Sequence, residues 1–337
     1  MATRVKIAAA QIDVALGQVH ANLLRIEEIV AETARHGAKL TVFPECVLTG
    51  YCFDSLEEAL PYAQPVPGPA TDRLTVACIW HDVHVVVGML ERDGDRLYNT
   101  AVLIGPSGVV GRYRKVHLPY LGIDRFTTPG DGFDVWEAGD LRVGLNICYD
   151  GAFPEASRVM ALQGADLICL PTNWPPGAET TADFAINTRA LENNVYYLAV
   201  NRVGEERGFR FIGRSRICGP TGHTLAEAPH DQEALLYATI EPEVARDKHL
   251  VRVPGLHEID RFADRRPDTY GPLTATTGRE GQRLTPKTHL GCAGCVEPPQ
   301  VSGQPQPATA ADGSTDGHYE DAPAAEETLR QRETSNA

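Results

Sequence analysis

The sequence predicts an α/β protein in which two stacked sheets are covered by helices on their outer faces, a four-layer sandwich. Strand-like and helix-like segments alternate at the start of the chain, and the second half repeats this order with additional strands. In addition, "ARHGAKLTVFPE" (residues 34–45) resembles "ALQGADLICLPT" (residues 161–172). Each string passes from a helix end through a Gly-Ala turn into a buried strand that contains a proline. The chain therefore contains two comparable βα units, which we expect to face one another.

The first part of the chain has the pattern of a βαβ unit. "VKIAAAQID" (5–13) is strand-like, and "ANLLRIEEIVAETARHG" (21–37) has apolar residues at helical spacing and a glycine stop. "KLTVFPE" (39–45) follows as a buried strand. Two further apolar runs, 84–92 and 96–106, are joined by "DGD", so we expect a β-hairpin there.

The second part alternates in the same way and is richer in strands. We expect strands over 141–150, 165–173, 195–204, 209–220 and 233–240, with helices over 153–164, 182–194 and 243–250. Ligands of such sheets bind beyond the carboxyl ends of the strands, which is where "FPE", "CYD" and "PTN" occur. A functional site is therefore expected where these three strings meet.

Composition divides the chain into a folded domain, residues 1–275, and a low-complexity tail, residues 276–337. Periodic apolar residues vanish in the tail, and Gly, Pro, Gln, Ser, Thr and Ala dominate. Such a segment cannot bury enough surface to offset its ordering entropy, so we expect disorder. The tail contains "HLGCAGC", a CxxC preceded by His289, but a four-ligand zinc site needs a second pair at suitable spacing. Two incidental cysteines are the favoured interpretation.

The charge and cysteine content narrow the class of protein. The net charge of −14 argues against nucleic-acid or anionic-membrane partners and favours a small uncharged or cationic substrate. No apolar run approaches the roughly 20 residues of a membrane-spanning helix, and the first residues lack the pattern of a signal peptide. The eight cysteines are scattered, which is typical of free thiols in a reducing compartment. We expect a cytoplasmic protein.

One cysteine, Cys148 in "NICYDGAFPE", has a position suited to a nucleophile. It follows a strand and precedes a turn into a helix, so nearby helix amides could stabilise a thiolate and later an oxyanion. A cysteine at a strand end is more often a small buried hydrophobe. The interpretation of Cys148 therefore depends on its partners.

Two charged residues are the candidate partners. Glu45, after the strand "LTVFP", is costly to bury without a role or a cation, although it could simply form a cap or a salt bridge. Lys115 is flanked by Arg112 and Arg114, which favours a solvated basic cluster. If Lys115 is instead buried beside Glu45, the two charges neutralise each other and the ammonium lowers the pKa of a nearby thiol.

Three strings in this order, "FPECVLTGY", "RKVHLPYLGIDRFTTPGD" and "NICYDGAFPE", closely resemble the signatures of the nitrilase, or carbon-nitrogen hydrolase, superfamily. The resemblance extends over about residues 4–273 and implies an αββα sandwich that dimerises into a continuous αββα-αββα assembly, giving a homodimer or higher homo-oligomer. It also implies Glu45 as general base, Lys115 as the cation that stabilises the tetrahedral intermediate, and Cys148 as nucleophile. The backbone amide of Tyr149 would assist at the oxyanion, and no metal or organic cofactor is needed.

Further residues are weaker candidates for the same pocket. Many members of the superfamily have an additional glutamate before "TPGD"; here Asp124 is nearest, and it either orients Lys115 or the substrate or only pairs with Arg125. Asn173 and Trp174 end the strand that matches the Glu45 strand, and Tyr51 follows Glu45 by a short loop. For Glu192, a structural hydrogen bond and a substrate contact are equally supported.

The resemblance leaves alternatives for the substrate and the role. "CYD" resembles amidases and carbamoyl hydrolases, so a small amide-type substrate is the first choice, an N-carbamoyl compound the second, and a nitrile the third. A non-catalytic nitrilase-like binding subunit is disfavoured because Glu45, Lys115 and Cys148 are all present. A protein whose tail is the functional element is a further alternative.

Overall fold

The computed structural model describes residues 3–280, so most of the predicted tail, with its CxxC, lies outside the described residues. The helices are α1 (Val19–Arg35), α2 (Leu56–Ala59), α3 (Pro69–His81), α4 (Pro154–Leu162), α5 (Ile186–Asn193) and α6 (Pro242–Arg246). The strands are β1 (Val5–Gln11), β2 (Leu40–Val42), β3 (His84–Asp93), β4 (Arg96–Gly105), β5 (Gly108–Arg114), β6 (Val135–Ala138), β7 (Leu141–Leu145), β8 (Leu167–Thr172), β9 (Tyr196–Asn201), β10 (Glu205–Glu206), β11 (Phe209–Arg210), β12 (Arg216–Cys218), β13 (Thr224–Glu227), β14 (Ala234–Ile240), β15 (His249–Val253) and β16 (His257–Asp260).

The larger strands form two sheets of six strands each. The strand order is β14-β1-β2-β3-β4-β5 in the first sheet and β13-β12-β9-β8-β7-β6 in the second. The centre of the first sheet is parallel, with Ile7 opposite Leu40, and β7, β8 and β9 are parallel in the second. The two sheets therefore share a layout, as the internal similarity of the sequence predicts.

The sheets are stacked, and the helices cover their outer faces. On β3, Val86 packs in a core that includes Leu145 and Leu167 of the second sheet, whereas Val85 and Val87 pack in a core with α1 and α3. Successive residues of a strand point to opposite faces, so each strand contributes to both layers. Helices α4 and α5 bury Met160 and Ile186 against the other side of the second sheet. The predicted α/β, four-layer αββα sandwich is confirmed.

Helix α1 is amphipathic and shows why these segments become outer layers. It buries a stripe at spacings of three and four residues, Leu23, Ile26, Ile29 and Val30, and Gly37 follows its end with φ +84°.

Within residues 3–280, no helix is long and apolar enough to cross a membrane.

The structure corrects two predicted elements. The predicted closing helix, residues 243–250, is shorter, because α6 ends at Arg246 and the chain enters the hairpin of β15 and β16. The predicted strand over 209–220 is broken into β11 and β12 by irregular backbone that contains Gly213, at φ +61°. At Gly213 an added Cβ would meet the His230 carbonyl at 2.5 Å, so the backbone approach there is close.

Candidate active site

The three candidate catalytic residues lie just beyond the ends of strands at one edge of the sandwich. Glu45 follows β2, Lys115 follows β5 directly, and Cys148 follows β7. Strand β4 is antiparallel to both β3 and β5, so β5 runs in the same direction as β2 and ends at the same edge. The fold thus brings together residues that are far apart in the sequence.

Lys115 is fully buried between two carboxylates, so it does not belong to a solvated basic cluster. Its Nζ donates to Glu45 Oε1 at 2.7 Å and to Asp124 Oδ2 at 2.6 Å. All three side chains are inaccessible to solvent. Burying ions without partners costs several kcal/mol each, and the close contacts offset this cost. Asp124 therefore lies against Lys115, as one of its two predicted roles requires.

Two neutral side chains, Asn99 and Tyr51, also donate hydrogen bonds to these carboxylates. Asn99, on β4, donates from Nδ2 to Glu45 Oε1 at 2.7 Å and to Asp124 Oδ1 at 2.9 Å. Tyr51, one of the predicted pocket residues, donates its hydroxyl to Asp124 Oδ2 at 2.7 Å. No sequence pattern predicts a role for Asn99, whose only signal is that it is a polar residue inside the apolar strand "RLYNTAVLIG".

The Glu45 carboxyl has a raised pKa and one oxygen without a hydrogen-bond partner among the described residues, and both properties suit a general base. Burial raises its carboxyl pKa, the Lys115 ammonium opposes this shift, and the Asp124 carboxylate adds to it. Whereas Oε1 accepts hydrogen bonds from Lys115 and Asn99, Oε2 is buried without a hydrogen-bond partner among the described residues. A carboxylate oxygen in this state can accept a proton.

The thiol of Cys148 is protonated in the resting structure, which corrects one expectation. Burial, followed by the nearby Glu45 carboxylate, raises its pKa to about 12, and the opposing effect of Lys115 is smaller. The nearby Thr172 side chain and Asn173 backbone also lower its pKa, by less than burial raises it. The prediction that Lys115 gives a low thiol pKa is therefore wrong. Attack by this cysteine requires a general base.

The backbone at Cys148 is held in an unusual conformation. Cys148 opens a 3₁₀ turn, Cys148–Ala152, with φ +48°, in the left-handed region that costs a residue with a side chain roughly 1–2 kcal/mol. Cys46, directly after Glu45, has φ +49°. The chain thus turns sharply at a cysteine in both of the similar βα units. Glu45 lies at the turn of the first unit, and Cys148 lies at the turn of the second.

The turn that carries Glu45 is packed directly on β3 at Gly88. A Cβ added to Gly88 would lie 2.4 Å from the Cys46 nitrogen and 2.6 Å from the Pro44 oxygen. Leu48 also donates from its backbone nitrogen to the Gly88 oxygen at 3.2 Å. Only glycine allows this approach, which fixes the distance of Glu45 from the sheet.

A buried carboxylate, Asp150, ties the Cys148 turn to the segment that follows Lys115. Asp150 Oδ1 accepts from the His117 backbone nitrogen at 2.9 Å and lies 2.7 Å from His117 Nδ1. Asp150 Oδ2 accepts from the Tyr113 hydroxyl at 2.6 Å and from the Ile147 backbone nitrogen at 2.9 Å. The His117 ring stacks on Phe153 with centroids 3.6 Å apart. These contacts join the two sheets beside the site. No sequence pattern predicts this role of Asp150.

A buried ion pair, Arg202 with Glu206, holds the loop that contains Tyr51. Glu206 Oε2 accepts from the backbone nitrogens of Tyr51 at 3.0 Å and Cys52 at 2.9 Å. The buried Arg202 pairs with Glu206 and, at 2.7 Å, with Asp13. The loop is therefore fixed through its backbone by Glu206 and through the Tyr51 hydroxyl by Asp124.

The remaining predicted residues divide between the site and its surroundings. Asn173 is buried, donates from Nδ2 to the Glu45 backbone oxygen at 3.0 Å, and has no partner for Oδ1 among the described residues. Trp174 is buried beside it, and the exposed Tyr149 follows Cys148. Glu192 contacts none of the three candidate catalytic residues; its carboxylate accepts from Arg189 Nη1 at 3.0 Å.

Comparison with known proteins identifies the family of the chain and several similar proteins. Residues 6–249 match the sequence model of the carbon-nitrogen hydrolase family. A protein named nitrilase from Pyrococcus abyssi is 41% identical over 268 residues, which cover 79% of this chain and 99% of that relative. The omega-amidase of Homo sapiens is 29% identical over 74% of this chain and 91% of its own. An amidase from Nesterenkonia sp. AN1, with the acetamide moiety of fluoroacetamide added covalently at its active-site cysteine, is 25% identical with a TM-score of 0.65, covering 78% of this chain and 94% of that one.

Proposed function

Because the chain belongs to the carbon-nitrogen hydrolase family, we propose that it hydrolyses the C–N bond of a small amide through a thioester on Cys148. The products are ammonia and a carboxylic acid. The residues that act are Glu45 as base, Lys115 and the Tyr149 amide as oxyanion donors, and Cys148 as nucleophile. Asp124 holds Lys115 in place.

The proposed reaction has two stages. In the first, Glu45 takes the thiol proton while Cys148 Sγ attacks the carbonyl carbon, and the oxyanion forms beside the Lys115 ammonium. The C–N bond then breaks, the amine nitrogen leaves as ammonia with the proton from Glu45, and a thioester remains. In the second stage Glu45 takes a proton from water while the water oxygen attacks the thioester carbon. The C–S bond then breaks, the acid leaves, and Glu45 returns its proton to the Cys148 thiolate.

The observation that carries the proposal is the state of the two oxygens of Glu45. Oε1 is fixed by Lys115 and Asn99, whereas Oε2 is buried without a partner among residues 3–280. Burial and the nearby Glu45 carboxylate raise the pKa of the Cys148 thiol to about 12. A protonated nucleophile beside an unpartnered basic oxygen is the arrangement that general-base catalysis needs. The covalent adduct at the active-site cysteine of the Nesterenkonia amidase supports a cysteine nucleophile.

The substrate class rests on "CYD" and on the relatives. Two of the similar proteins, from Homo sapiens and Nesterenkonia, are described as amidases. A nitrile is a second candidate because the Pyrococcus abyssi relative, at 41% identity, is named nitrilase. An N-carbamoyl compound, whose hydrolysis also releases carbon dioxide, is the remaining alternative from the sequence.

A matched panel of amides, N-carbamoyl compounds and nitriles with the same carbon skeletons tests this proposal. We expect ammonia release from amides, and a brief exposure should add the acyl mass to the peptide that contains Cys148. Replacement Cys148→Ala should abolish both signals. Cys78→Ala is the matched control, because Cys78 is also buried but lies on α3, outside the site.

Two results would contradict the proposal. Ammonia released from nitriles alone would replace the amidase assignment by a nitrilase. Appreciable turnover by a folded Cys148→Ala protein would overturn the nucleophile, and no turnover of any panel member by the wild type would favour a binding subunit.

We also propose that the protein is a homodimer or higher homo-oligomer and that it resides in the cytoplasm. The oligomer rests on the family resemblance, and light scattering should give a mass of at least two chains; a single chain mass would contradict it. The location is supported by the six cysteines described in the structure, all of which are free thiols. Recovery of the protein outside the cytoplasmic fraction would contradict that location.

A further inference from the structure

The side chain of Asn173 has one hydrogen-bonded end and one free end. Asn173 directly follows β8 and is fully buried. Its Nδ2 donates to the Glu45 backbone oxygen at 3.0 Å, whereas its Oδ1 is buried without a hydrogen-bond partner among residues 3–280. Because a backbone carbonyl oxygen can only accept, the side-chain amide must turn its nitrogen towards Glu45. Oδ1 is therefore the free end, and it is an acceptor.

A buried amide oxygen without a partner marks no site by itself. Within the described part of the chain, Asn146 Oδ1 and Asn193 Oδ1 are in the same state. Asn146 Nδ2 donates to the Tyr197 hydroxyl on β9 at 3.0 Å, and Asn193 Nδ2 donates to the Arg189 backbone oxygen within α5 at 3.0 Å. Asn173 differs from both because its donor end contacts the proposed general base.

The proposed nucleophile is also a neighbour of Asn173. Strand β8, which Asn173 follows, is parallel to β7, and Cys148 lies just beyond the end of β7. The Asn173 backbone is near enough to the Cys148 thiol to lower its pKa. Asn173 thus extends from the nucleophile on the second sheet to the backbone of Glu45 on the first.

The turn after Asn173 is fixed by hydrogen bonds. The Trp174 backbone nitrogen donates to Asn201 Oδ1 at 2.8 Å, and Asn201 Nδ2 donates to the Trp174 oxygen at 3.3 Å. The Ile212 backbone nitrogen donates to the same Trp174 oxygen at 3.0 Å. A group held in this way is preorganised, so Asn173 Oδ1 keeps its position while a substrate binds.

The polar groups around the thiol divide into donors and acceptors. The Lys115 ammonium is the donor for the carbonyl oxygen of the substrate, and the acceptors without partners are Glu45 Oε2 and Asn173 Oδ1. A primary amide matches this division, because it has a carbonyl oxygen that accepts and an NH₂ group that donates. In the proposed reaction Glu45 protonates the leaving nitrogen, so that nitrogen lies on the side of Glu45 that Asn173 contacts.

From this arrangement we propose that Asn173 is a specificity-determining residue, whose Oδ1 accepts a hydrogen bond from the NH₂ group of the substrate. The inference rests on the proposed hydrolase function and narrows its substrates to those with an unsubstituted amide nitrogen. Nitriles and esters have no N–H at this position and leave Oδ1 unpaired, which is the strongest basis for rejecting an analogue. The hydrogen bond strengthens as the nitrogen gains the proton from Glu45, so it also favours departure of ammonia.

The discriminating variant is Asn173→Leu, because leucine has nearly the shape of asparagine and no polar side-chain atom. We compare kcat/KM of the full-length wild type and variant on a primary amide and on the methyl ester of the same acid. The amide is propionamide, butyramide or benzamide, whichever the wild type hydrolyses fastest. The variant should lose roughly 10- to 100-fold more kcat/KM on the amide than on the ester, since only the amide loses a hydrogen bond.

A purely structural Asn173 would give a different result. Loss of the contact with the Glu45 backbone lowers turnover of both substrates alike, because the same base serves both. Asn146→Leu is the matched control, since it also removes a buried asparagine with an unpartnered oxygen and one hydrogen bond. It should leave the ratio of amide to ester hydrolysis as in the wild type.

A second measurement does not require a change at Asn173. Calorimetry on the full-length Cys148→Ala protein compares binding of the amide, the methyl ester and the nitrile of the same acid without turnover. The amide should bind at least tenfold more tightly than the ester and the nitrile, because it alone donates to Asn173 Oδ1.

The outcomes separate the inference from the proposed function. Equal losses on amide and ester in a folded Asn173→Leu protein, an equal change of their ratio in Asn146→Leu, or equal binding of the three ligands would overturn the role of Asn173 and leave the hydrolase intact. A wild type that hydrolyses none of the three amides would contradict the proposed function, and the inference would fall with it.

Discussion

At the scale of single residues, the candidate site places one ammonium between two carboxylates in a volume that excludes solvent. Lys115 contacts both Glu45 and Asp124, so two carboxyl groups share one ammonium. Burial of the Glu45 carboxyl is the largest cause of its raised pKa. The base is thereby strengthened at a cost in stability.

The rate of hydrolysis should fall on the acidic side at a pH above the ordinary carboxyl value of 4.5, because Glu45 must be deprotonated to act and its pKa is raised. Lys115, whose pKa is raised well above 10.5, keeps its charge through neutral and mildly alkaline pH. A profile of kcat/KM against pH measures both limits. An acidic limb at or below pH 4.5 would contradict the assignment of Glu45 as the base.

Replacement Glu45→Gln should abolish turnover but raise the melting temperature at pH 8. A raised pKa in the folded state means that Glu45 loses stabilising free energy as pH rises from its unfolded value through its folded value. The advantage of the variant should therefore be present at pH 8 and absent at pH 4, with each 1 kcal/mol worth about 2–4 °C. Melting curves at both values measure it, and an equal difference at both would refute the linkage.

Asn99→Leu should shift the acidic limb of the rate profile to higher pH and lower kcat. Asn99 donates to Glu45 and lowers its pKa, so its loss raises that pKa further and frees the carboxylate to move. Hydrogen bonds to charged groups contribute about 1.5–3 kcal/mol each, so stability should also fall. Asn187→Leu removes three hydrogen bonds of a residue on α5 and is the control: it should lower stability without shifting the limb.

The sequence could predict which candidate residues meet at the site but not the residues that support them. Glu45, Lys115 and Cys148 were found because they occur in strings that resemble a known family. Asn99 contacts carboxylates that lie 25 and 54 residues away in the sequence. Asp150 contacts Tyr113 and His117, which lie 37 and 33 residues away. No local sequence pattern shows such contacts. The direction of the thiol pKa was predicted wrongly, because the depth of burial around Cys148 cannot be read from its neighbours in the chain.

At the scale of elements, the approach of the Glu45 turn to β3 gives a test of position rather than of chemistry. Gly88→Ala should lower kcat by about a hundredfold, the order expected from a displacement near 1 Å, because its Cβ would meet the backbone of Pro44 and Cys46. Gly132→Ala is the matched control, since nothing lies within 4 Å of its added Cβ. Kinetics of both folded variants provide the measurement, and equal effects would contradict the positional argument.

The predicted helices and strands agree with the structure where the apolar periodicity of the sequence is strong. They disagree with it where exposed apolar residues weaken that periodicity. Strands β3 and β4 and helix α1 lie where the pattern predicts them. Helix α3 was not predicted, because exposed apolar residues obscure its buried stripe. Those exposed residues are Val76, Ile79 and Trp80. The ends of strands are also poorly defined by the pattern: the run over 141–150 leaves the strand at Leu145 so that Cys148 can turn.

At the scale of the whole molecule, turnover should not require the tail. The match to the carbon-nitrogen hydrolase family ends at residue 249, and all residues assigned to the site precede Glu206. A chain ending at residue 280 should therefore keep kcat within about twofold of the full chain, because the site's contacts are retained. Steady-state kinetics of both chains measure this, and complete loss of activity in a folded truncated chain would make the tail the functional element.

The Asp150 contacts between the two sheets have a consequence for how the active protein forms. Glu45 and Lys115 come from the first sheet and Cys148 from the second, and the Tyr51 loop is closed by Glu206, 155 residues away. Such long loops are closed late, after local helices and hairpins have formed. Each sheet alone would leave its charged residues in water, where Glu45 is an ordinary weak acid. The proposed base and the proposed nucleophile therefore come together only when the sheets dock, so that a partly folded chain carries no thiol–carboxylate pair.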